Sequence, residues 1–375
     1  MPGWKRRKTM TALPTRKLEA WRYTDLKALA AISFSDPAPA PAPANLPDLG
    51  LPRLVFVNGA YDSARSTPPE FLRPFAAVAE GSDLPLALIN AAHARDGYTL
   101  AVPDHVDAGA LLIVSYAETE APYAIHPRHR VTLGAGARLT IIEIAIGQGV
   151  YWHNPVTDIS LDENATLAHY RLQDEGADSF HLATIRANIA AGGAYQAFTA
   201  AIGAKLSRAE IHVTLTGPNA STHLNAAQLL GGHQLGDVST VVSHLAPNCA
   251  SRQTVKSVLA DHARGVFQGR IEVDRLAQKT DGYQMNQALL LSPFAEMDIK
   301  PELQIFADDV KCSHGATIGA LDPEQIFYLR SRGIPEDAAR ALLIRAFLTE
   351  ALAPVTHEAA AALLEAAIEA WWTRR

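Results

Sequence analysis

The middle of this chain repeats itself in length more strictly than in letters, and that period limits its possible folds more than any other feature. Over residues 125–318, short alternating runs rich in Val, Ile, Thr and Leu are separated by Gly, Asn, Asp and Pro, the pattern of strands joined by turns. The turn-then-strand units open with Gly136-Ala137-Arg138-Leu139-Thr140, Asn164-Ala165-Thr166-Leu167-Ala168, Gly193-Ala194-Tyr195-Gln196-Ala197, Asn219-Ala220-Ser221-Thr222-His223 and Cys249-Ala250-Ser251-Arg252-Gln253. Their alanines (137, 165, 194, 220, 250) recur every 26 to 30 residues. A unit of that size cannot bury its inner face alone, so a steady period predicts coils stacked on their neighbours, a β-helix. A β-sandwich or jelly roll with coincidental spacing is the alternative. Within one unit, Ile211-His212-Val213-Thr214-Leu215-Thr216 alternates with period two, giving one apolar and one polar face.

The flanks read differently. Over residues 18–31 apolar residues recur at intervals of three and four, which predicts a short amphipathic helix. Alternating prolines in residues 36–47 forbid a helix and predict an extended linker. Next come short apolar runs (Leu54-Val55-Phe56-Val57 and Ala110-Leu111-Leu112-Ile113-Val114) around a helical piece at 84–94. After Leu321 the composition turns to Ala, Leu, Glu and Arg. Asp322-Pro323-Glu324-Gln325 has the N-cap, first-turn Pro and N3 Gln of a helix start, and Gly333 is placed to end that helix. A second helix is expected over 335–352, and a third from near Thr356, carrying Ala360, Leu363, Leu364, Ile368, Trp371 and Trp372. The expected organisation is therefore an N-terminal helical region (1–35), a Pro/Ala linker (36–47), a small α/β region (48–124), the β-helix core (125–320) and a C-terminal helical domain (321–375). That last domain is expected either to cover the open end of the solenoid or to offer a surface to a partner.

Composition narrows the function. With 33 basic against 39 acidic residues the net charge is −6, so no global positive field exists to hold nucleic acid or an anionic membrane. Even the richest apolar run, 338–352, is interrupted by charges, short of the roughly 18 consecutive apolar residues a membrane span requires. A soluble protein is expected. Lys5, Arg6, Arg7, Lys8, Arg16 and Lys17 read as a flexible basic tail, since no apolar signal-type stretch follows them. Only Cys249 and Cys312 are present, which suits a reducing compartment and a cytoplasmic location.

No glycine is directly followed by lysine, so there is no phosphate-cradling P-loop and no expectation of ATP hydrolysis by this chain itself. Gly134-Ala135-Gly136 reads as a strand turn, and no Cys-x-x-Cys, Gly-x-Ser-x-Gly or His-Glu-x-x-His occurs. His212, His223, His233, His244 and His262 could line up as a metal row across coils. Their irregular spacing favours solvated or hydrogen-bonded rings instead.

The most pointed feature is Asp308-Asp309-Val310-Lys311-Cys312-Ser313-His314-Gly315-Ala316-Thr317. On a strand, Cys312 and His314 share a face, roughly 6–7 Å apart by the rise per residue. Three readings follow. The pair is half of a metal site completed by another chain; or a Cys–His nucleophilic pair, for which the separation is long; or a buried Cys beside a surface His.

The same stretch, followed by Leu321-Asp322 and Phe327-Tyr328-Leu329-Arg330-Ser331-Arg332-Gly333-Ile334, resembles the C-terminal signature of the SufB/SufD family of SUF iron–sulfur cluster assembly scaffold proteins. Glu19-x-Trp21-Arg22-Tyr23-Thr24-Asp25-Leu26 is similar to the family's N-terminal motif, so the resemblance spans nearly the whole chain. The Cys-Ser-His-Gly run, the short N-terminal part and the lack of a cysteine-rich N-terminal segment are similar to the SufD branch. The resemblance implies a mainly β protein, with a right-handed parallel β-helix core and helical regions at both ends. It implies a non-catalytic scaffold that pairs end to end with a SufB-like subunit and carries a SufC-like ATPase on its C-terminal domain. It further implies a transient Fe-S cluster shared with SufB, with none bound tightly by the isolated chain, and a homodimer where the partner is missing. Carried over by position, His314 is the cluster ligand and Cys312 the adjacent thiol, and Tyr328, Arg332 and Gly333 lie where the motif meets the ATPase. A β-helix enzyme acting on polysaccharide is the competing reading, and it needs a groove with clustered carboxylates.

Overall fold

The computed structural model describes residues 12–38, 41–76 and 83–374. The basic stretch Lys5 to Lys8, and Pro39 and Ala40 of the linker, lie outside the described residues.

The chain alternates between two sheets. Thr166–Glu175 lies in the first sheet, Phe180–Ile189 in the second, Ala194–Ala201 in the first and Leu206–Leu215 in the second, and so on to Glu296–Ile305 and Lys311–Gly319. From Arg53–Val57 to Lys311–Gly319 every neighbouring pair in the first sheet is parallel. Thr166 faces Ala194, Ala194 faces Ser221, Ser221 faces Ala250, Ala250 faces Asp281 and Asp281 faces Lys311, so each coil takes 27 to 31 residues. The result is a parallel β-solenoid of about eight turns. Between the sheets lies an aliphatic core that includes Leu111, Ile141, Leu167, Ile185, Ile211 and Val242.

One corner of the solenoid explains the repeat seen in the sequence. Gly136, Asn164, Gly192, Asn219, Asn248 and Lys279 occupy one equivalent position in successive coils, each with φ between 57° and 67°. Gly and Asn tolerate this left-handed conformation best. The next residue is then buried: Ala137, Ala165, Ala220, Cys249 and Thr280 are each at most 1% exposed. A tight turn followed by a small buried side chain is what the eye catches as Asn-Ala or Gly-Ala. Cys249 is one rung of this ladder, with its Sγ 3.3 Å from the carbonyl oxygen of Gly217.

Both sheets are covered on their outer faces, and here the structure corrects three expectations. The sheets do not stop at residue 125: Arg53–Val57 and Asp107–Glu118, from the expected small α/β region, pair in parallel with each other and with Arg138–Gln148. Helices Glu336–Leu352 and Glu358–Thr373 do not close the end of the solenoid. They lie flat on the first sheet, where Ile344, Leu348, Leu364 and Trp371 pack with Tyr170, Leu172, Phe198 and Val258. Finally, 18–31 is not one helix but a turn of 3-10 helix, Glu19–Trp21, and a short α-helix, Lys27–Ala30. The break has a cause: the hydroxyl of Thr24, between them, is buried against Asp237 on the second sheet.

Other expectations hold. Helix Pro85–His93 occupies the expected place and packs with Trp21, Phe180 and Leu206. Asp322 caps helix Pro323–Ser331, its Oδ1 accepting from the Glu324 amide at 2.9 Å, and Gly333 follows with φ of 84°. The linker region has no regular structure, yet Ala42 and Leu46 pack against the helix-covered face. No helix among the described residues is long and apolar enough to cross a membrane.

Candidate functional site

The solenoid ends without a cap on its last two strands. Lys311–Gly319 pairs with Asp281–Leu290 on one side, and Glu296–Ile305 pairs with Arg264–Val273. The far edge of each carries no strand among the described residues. A free edge is a row of unsatisfied amides and carbonyls, a ready template for a further strand. Around it Phe294, Ile305, Phe306 and Ile318 are exposed.

Cys312 and His314 stand on this terminal strand, on one face, but in different surroundings. The Cys312 side chain points between the sheets and packs with Ile271, Val273, Ala277 and Ala307. It fits there because its neighbour in register is Gly282, where a Cβ would sit only 3.3 Å from Sγ. Burial and then the Asp281 carboxylate push the thiol up from its ordinary value. A protonated thiol is a poor nucleophile, which weighs against the Cys–His nucleophile reading. His314 sits at the rim, exposed to solvent, with Gln284 as its register neighbour. No third His, Cys, Asp or Glu joins these two among the described residues. The strand thus presents one half-buried soft ligand and one exposed imidazole beside an open edge, an incomplete donor set.

The C-terminal candidates lie on a second exposed surface. Helix Pro323–Ser331 buries none of its residues, and Phe327 and Tyr328 stand out from it at 72% and 56% exposure. The Arg332 guanidinium lies over the Tyr328 ring, 4.8 Å from its centroid. Gly333, in its left-handed conformation, turns the chain into the next helix. Two large aromatics exposed on a helix that buries none of its residues are the kind of anchor that interfaces use.

The five histidines singled out by sequence form no metal row. His212 pairs with Glu210, His223 stands half-buried with Arg252 as its register neighbour, His233 stacks on His262 in exposed turns, and His244 is buried against Ser251. Other histidines do come together, inside the solenoid. Glu143 Oε2 accepts from Arg171 Nε at 3.1 Å and meets His169 Nε2 at 3.0 Å. Beside them Glu175 meets His153 Nδ1 at 3.0 Å and His181 Nδ1 at 2.6 Å, while Gln173 Nε2 donates to it at 3.0 Å. Burial alone would raise the Glu175 carboxyl, but His181 and His153 outweigh it and hold the group well below its ordinary value. Glu143 is held down in the same way, burial being outweighed by Arg171 and then His169. The sequence did carry a signal for this cluster: His169-x-Arg171-x-Gln173-x-Glu175 alternates like a strand, with its charged side facing in.

Comparison with known proteins places this geometry. The family model described as "SUF system FeS cluster assembly, SufBD core domain" matches residues 115–347, from the early solenoid coils to the middle of the second C-terminal helix. The iron–sulfur cluster assembly protein SufD of Escherichia coli is 35% identical to this chain, covering 91% of it and 86% of the relative. An iron–sulfur cluster assembly SufBD family protein of Synechocystis is 32% identical, covering 91% of this chain and 83% of the relative. The chloroplastic protein ABCI7 of Arabidopsis thaliana is 38% identical over 60% of this chain and 49% of the relative. With its open-ended solenoid, its Cys312-x-His314 strand and these matches, the chain belongs to the SufBD family of SUF iron–sulfur cluster assembly proteins.

Proposed function

We propose that this chain is a non-catalytic scaffold subunit of a SUF complex, docking through the open end of its solenoid against a SufB-like subunit and through its C-terminal helices to a SufC-like ATPase. The observation that carries this reading is the pairing of an unsatisfied edge with an incomplete donor set on the strand Lys311–Gly319. A partner strand added there would satisfy the edge hydrogen bonds and bring further ligands to His314 and Cys312. A nascent Fe-S cluster held by ligands from two chains can be released when the seam opens, which suits a cargo. The exposed Phe327 and Tyr328, with Arg332 and Gly333 beside them, are the ATPase contact in this reading.

The test is co-expression with the SufB-like and SufC-like partners, purification of the complex, and assay of iron and acid-labile sulfide. His314→Ala is expected to lower both several-fold while the three subunits still co-purify. Undiminished iron and sulfide in that variant would count against His314 as a ligand. Failure of the subunits to co-purify with the wild-type chain would count against the assembly itself.

A further inference from the structure

We propose that His153, Glu175 and His181 form a divalent transition-metal site inside the solenoid, separate from the open end. Five parallel strand steps of roughly 4.8 Å separate the strand of Glu175 from that of His314, about 24 Å in all. The inference therefore does not rest on the function proposed above.

The geometry is that of a site waiting for a small cation. The two imidazole nitrogens and the carboxylate offer three ligand atoms, all within 4.8 Å of one another. Ligands about 2.1 Å from a zinc or ferrous ion in tetrahedral arrangement stand roughly 3.4 Å apart, so a cation fits with side-chain adjustments of well under 2 Å. Two imidazoles and one carboxylate are the borderline nitrogen and hard oxygen set that suits Zn2+ and Fe2+. All three residues are at most 4% exposed. Each imidazole would bind in its neutral form, with the proton moved from Nδ1 to Nε2.

A second observation points the same way. Gln173, only 3% exposed, has its Nε2 on Glu175 but leaves its Oε1 with no hydrogen-bond partner. An orphaned carbonyl oxygen beside a carboxylate is costly in a proton-only network. Turned about its Cγ–Cδ bond, the same group offers its oxygen to a cation as a fourth ligand atom.

The chain at the site borders a solvent-open groove, although the Glu175 side chain itself is only 1% exposed. Glu175 and Gly176 form part of the wall of a groove of about 680 Å³, which Asp174, Asp178 and Asp261 render acidic although Lys205 and Arg374 also line it. Among the side chains around the site, Arg171 opposes a cation, its Nη2 being 3.4 Å from His181 Nε2. Its charge is already paired with Glu143, and metal binding would require that long contact to be given up.

The experiment uses the full-length chain carrying Cys312→Ser and His314→Ala, so that the open end cannot contribute ligands. After chelator treatment it is dialysed against micromolar Zn2+ and its metal content is measured, with Co2+ absorption as a second reading. About one retained equivalent is expected, weakened at least tenfold by Glu175→Gln. No retained metal, or retention unchanged by Glu175→Gln, overturns the proposal and leaves a purely hydrogen-bonded triad. Should Glu175→Gln fail to fold, anomalous diffraction from zinc-soaked crystals of the unmodified chain decides: a peak between the three side chains supports the site, and its absence there overturns it.

Discussion

The guanidinium of Arg208 lies over the indole of Trp21, 4.0 Å from the ring centroid, and fastens the N-terminal segment to the outer face of the second sheet. The same Arg208 pairs with buried Asp237 and donates from Nη2 to the Ala20 carbonyl at 2.9 Å, while Asp237 also takes the Thr24 hydroxyl. The motif around Trp21 is therefore a strap with an aromatic plug and a buried ion pair. Trp21→Ala should destabilise the chain by about 3–5 kcal/mol, the range for emptying a large buried aromatic site. Arg208→Ala should cost about as much, because it leaves the Asp237 carboxylate buried and uncompensated. Urea unfolding reads both, and limited trypsin digestion should release residues before 22 faster in either variant. A digestion pattern unchanged from wild type would show that the strap is not held this way.

Gly282 controls how far Cys312 reaches into the solenoid. A methyl at residue 282 would stand 3.3 Å from Sγ and 3.4 Å from Ile271 Cδ1, so one of these neighbours must yield. Cys312, next to the open end, is the freer to move. Gly282→Ala is expected to push the thiol outward and to speed its labelling by a thiol reagent several-fold. Cys249, the other cysteine, is fully buried and should stay silent in the native chain. Labelling no faster than wild type would place the adjustment on Ile271 instead.

The solenoid was legible in the sequence because one of its corners imposes one conformation: at Gly136, Asn164, Asn219 and Asn248 a positive φ is followed by a small buried residue, coil after coil. The face shared by Cys312 and His314 was legible for the same reason, since strand parity is local. What parity could not give was which face is wet. In Thr166–Glu175 the outward Tyr170 and Leu172 lie beneath the C-terminal helices, so the apolar side faces out and His169, Arg171, Gln173 and Glu175 face in. The buried cluster escaped notice because a charged face ordinarily means solvent. Thr24 misled in a similar way: helical spacing around it is real, but its hydroxyl is claimed by Asp237, more than two hundred residues on.

Buried neutral histidines make the fold sensitive to mild acid. Burial is the main cause that pulls His126 and His129 down to about 3 and His244 down to about 4. His129 Nδ1 accepts the Tyr98 amide at 3.2 Å, which a protonated ring cannot do. The unfolded chain takes up a proton on each ring near pH 6.5, the folded chain only near 3 to 4. Between those limits the unfolded state binds more protons, so stability is full above about pH 6.5 and is lost as pH falls. At pH 5 each ring removes at most about 2 kcal/mol. Glu143 and Glu175, held below their ordinary values, add to the loss only once pH drops under about 4.5. The urea midpoint should therefore begin to decline near pH 6.5, and a midpoint unchanged between pH 7.5 and 5 would refute this account.

The C-terminal helices divide into two that are spent on the fold and one that is not. Leu348 is fully buried between helix Glu336–Leu352 and the first sheet, and Leu364 plays the same part in the helix that follows. Leu348→Ala should cost about 2–5 kcal/mol, through lost burial and the cavity left behind. Phe327 and Tyr328, on the preceding helix, touch no core cluster and stand mostly in solvent. Replacing both by alanine should leave stability within about 0.5 kcal/mol of wild type. If that helix is the ATPase contact, the same double variant should weaken capture of the SufC-like subunit at least tenfold, as the loss of aromatic anchors does at other interfaces. The two readouts separate the roles, since Leu348→Ala would lower the unfolding midpoint while the surviving folded fraction still binds. Full capture by a stable Phe327→Ala, Tyr328→Ala chain would move the contact elsewhere on the helical face.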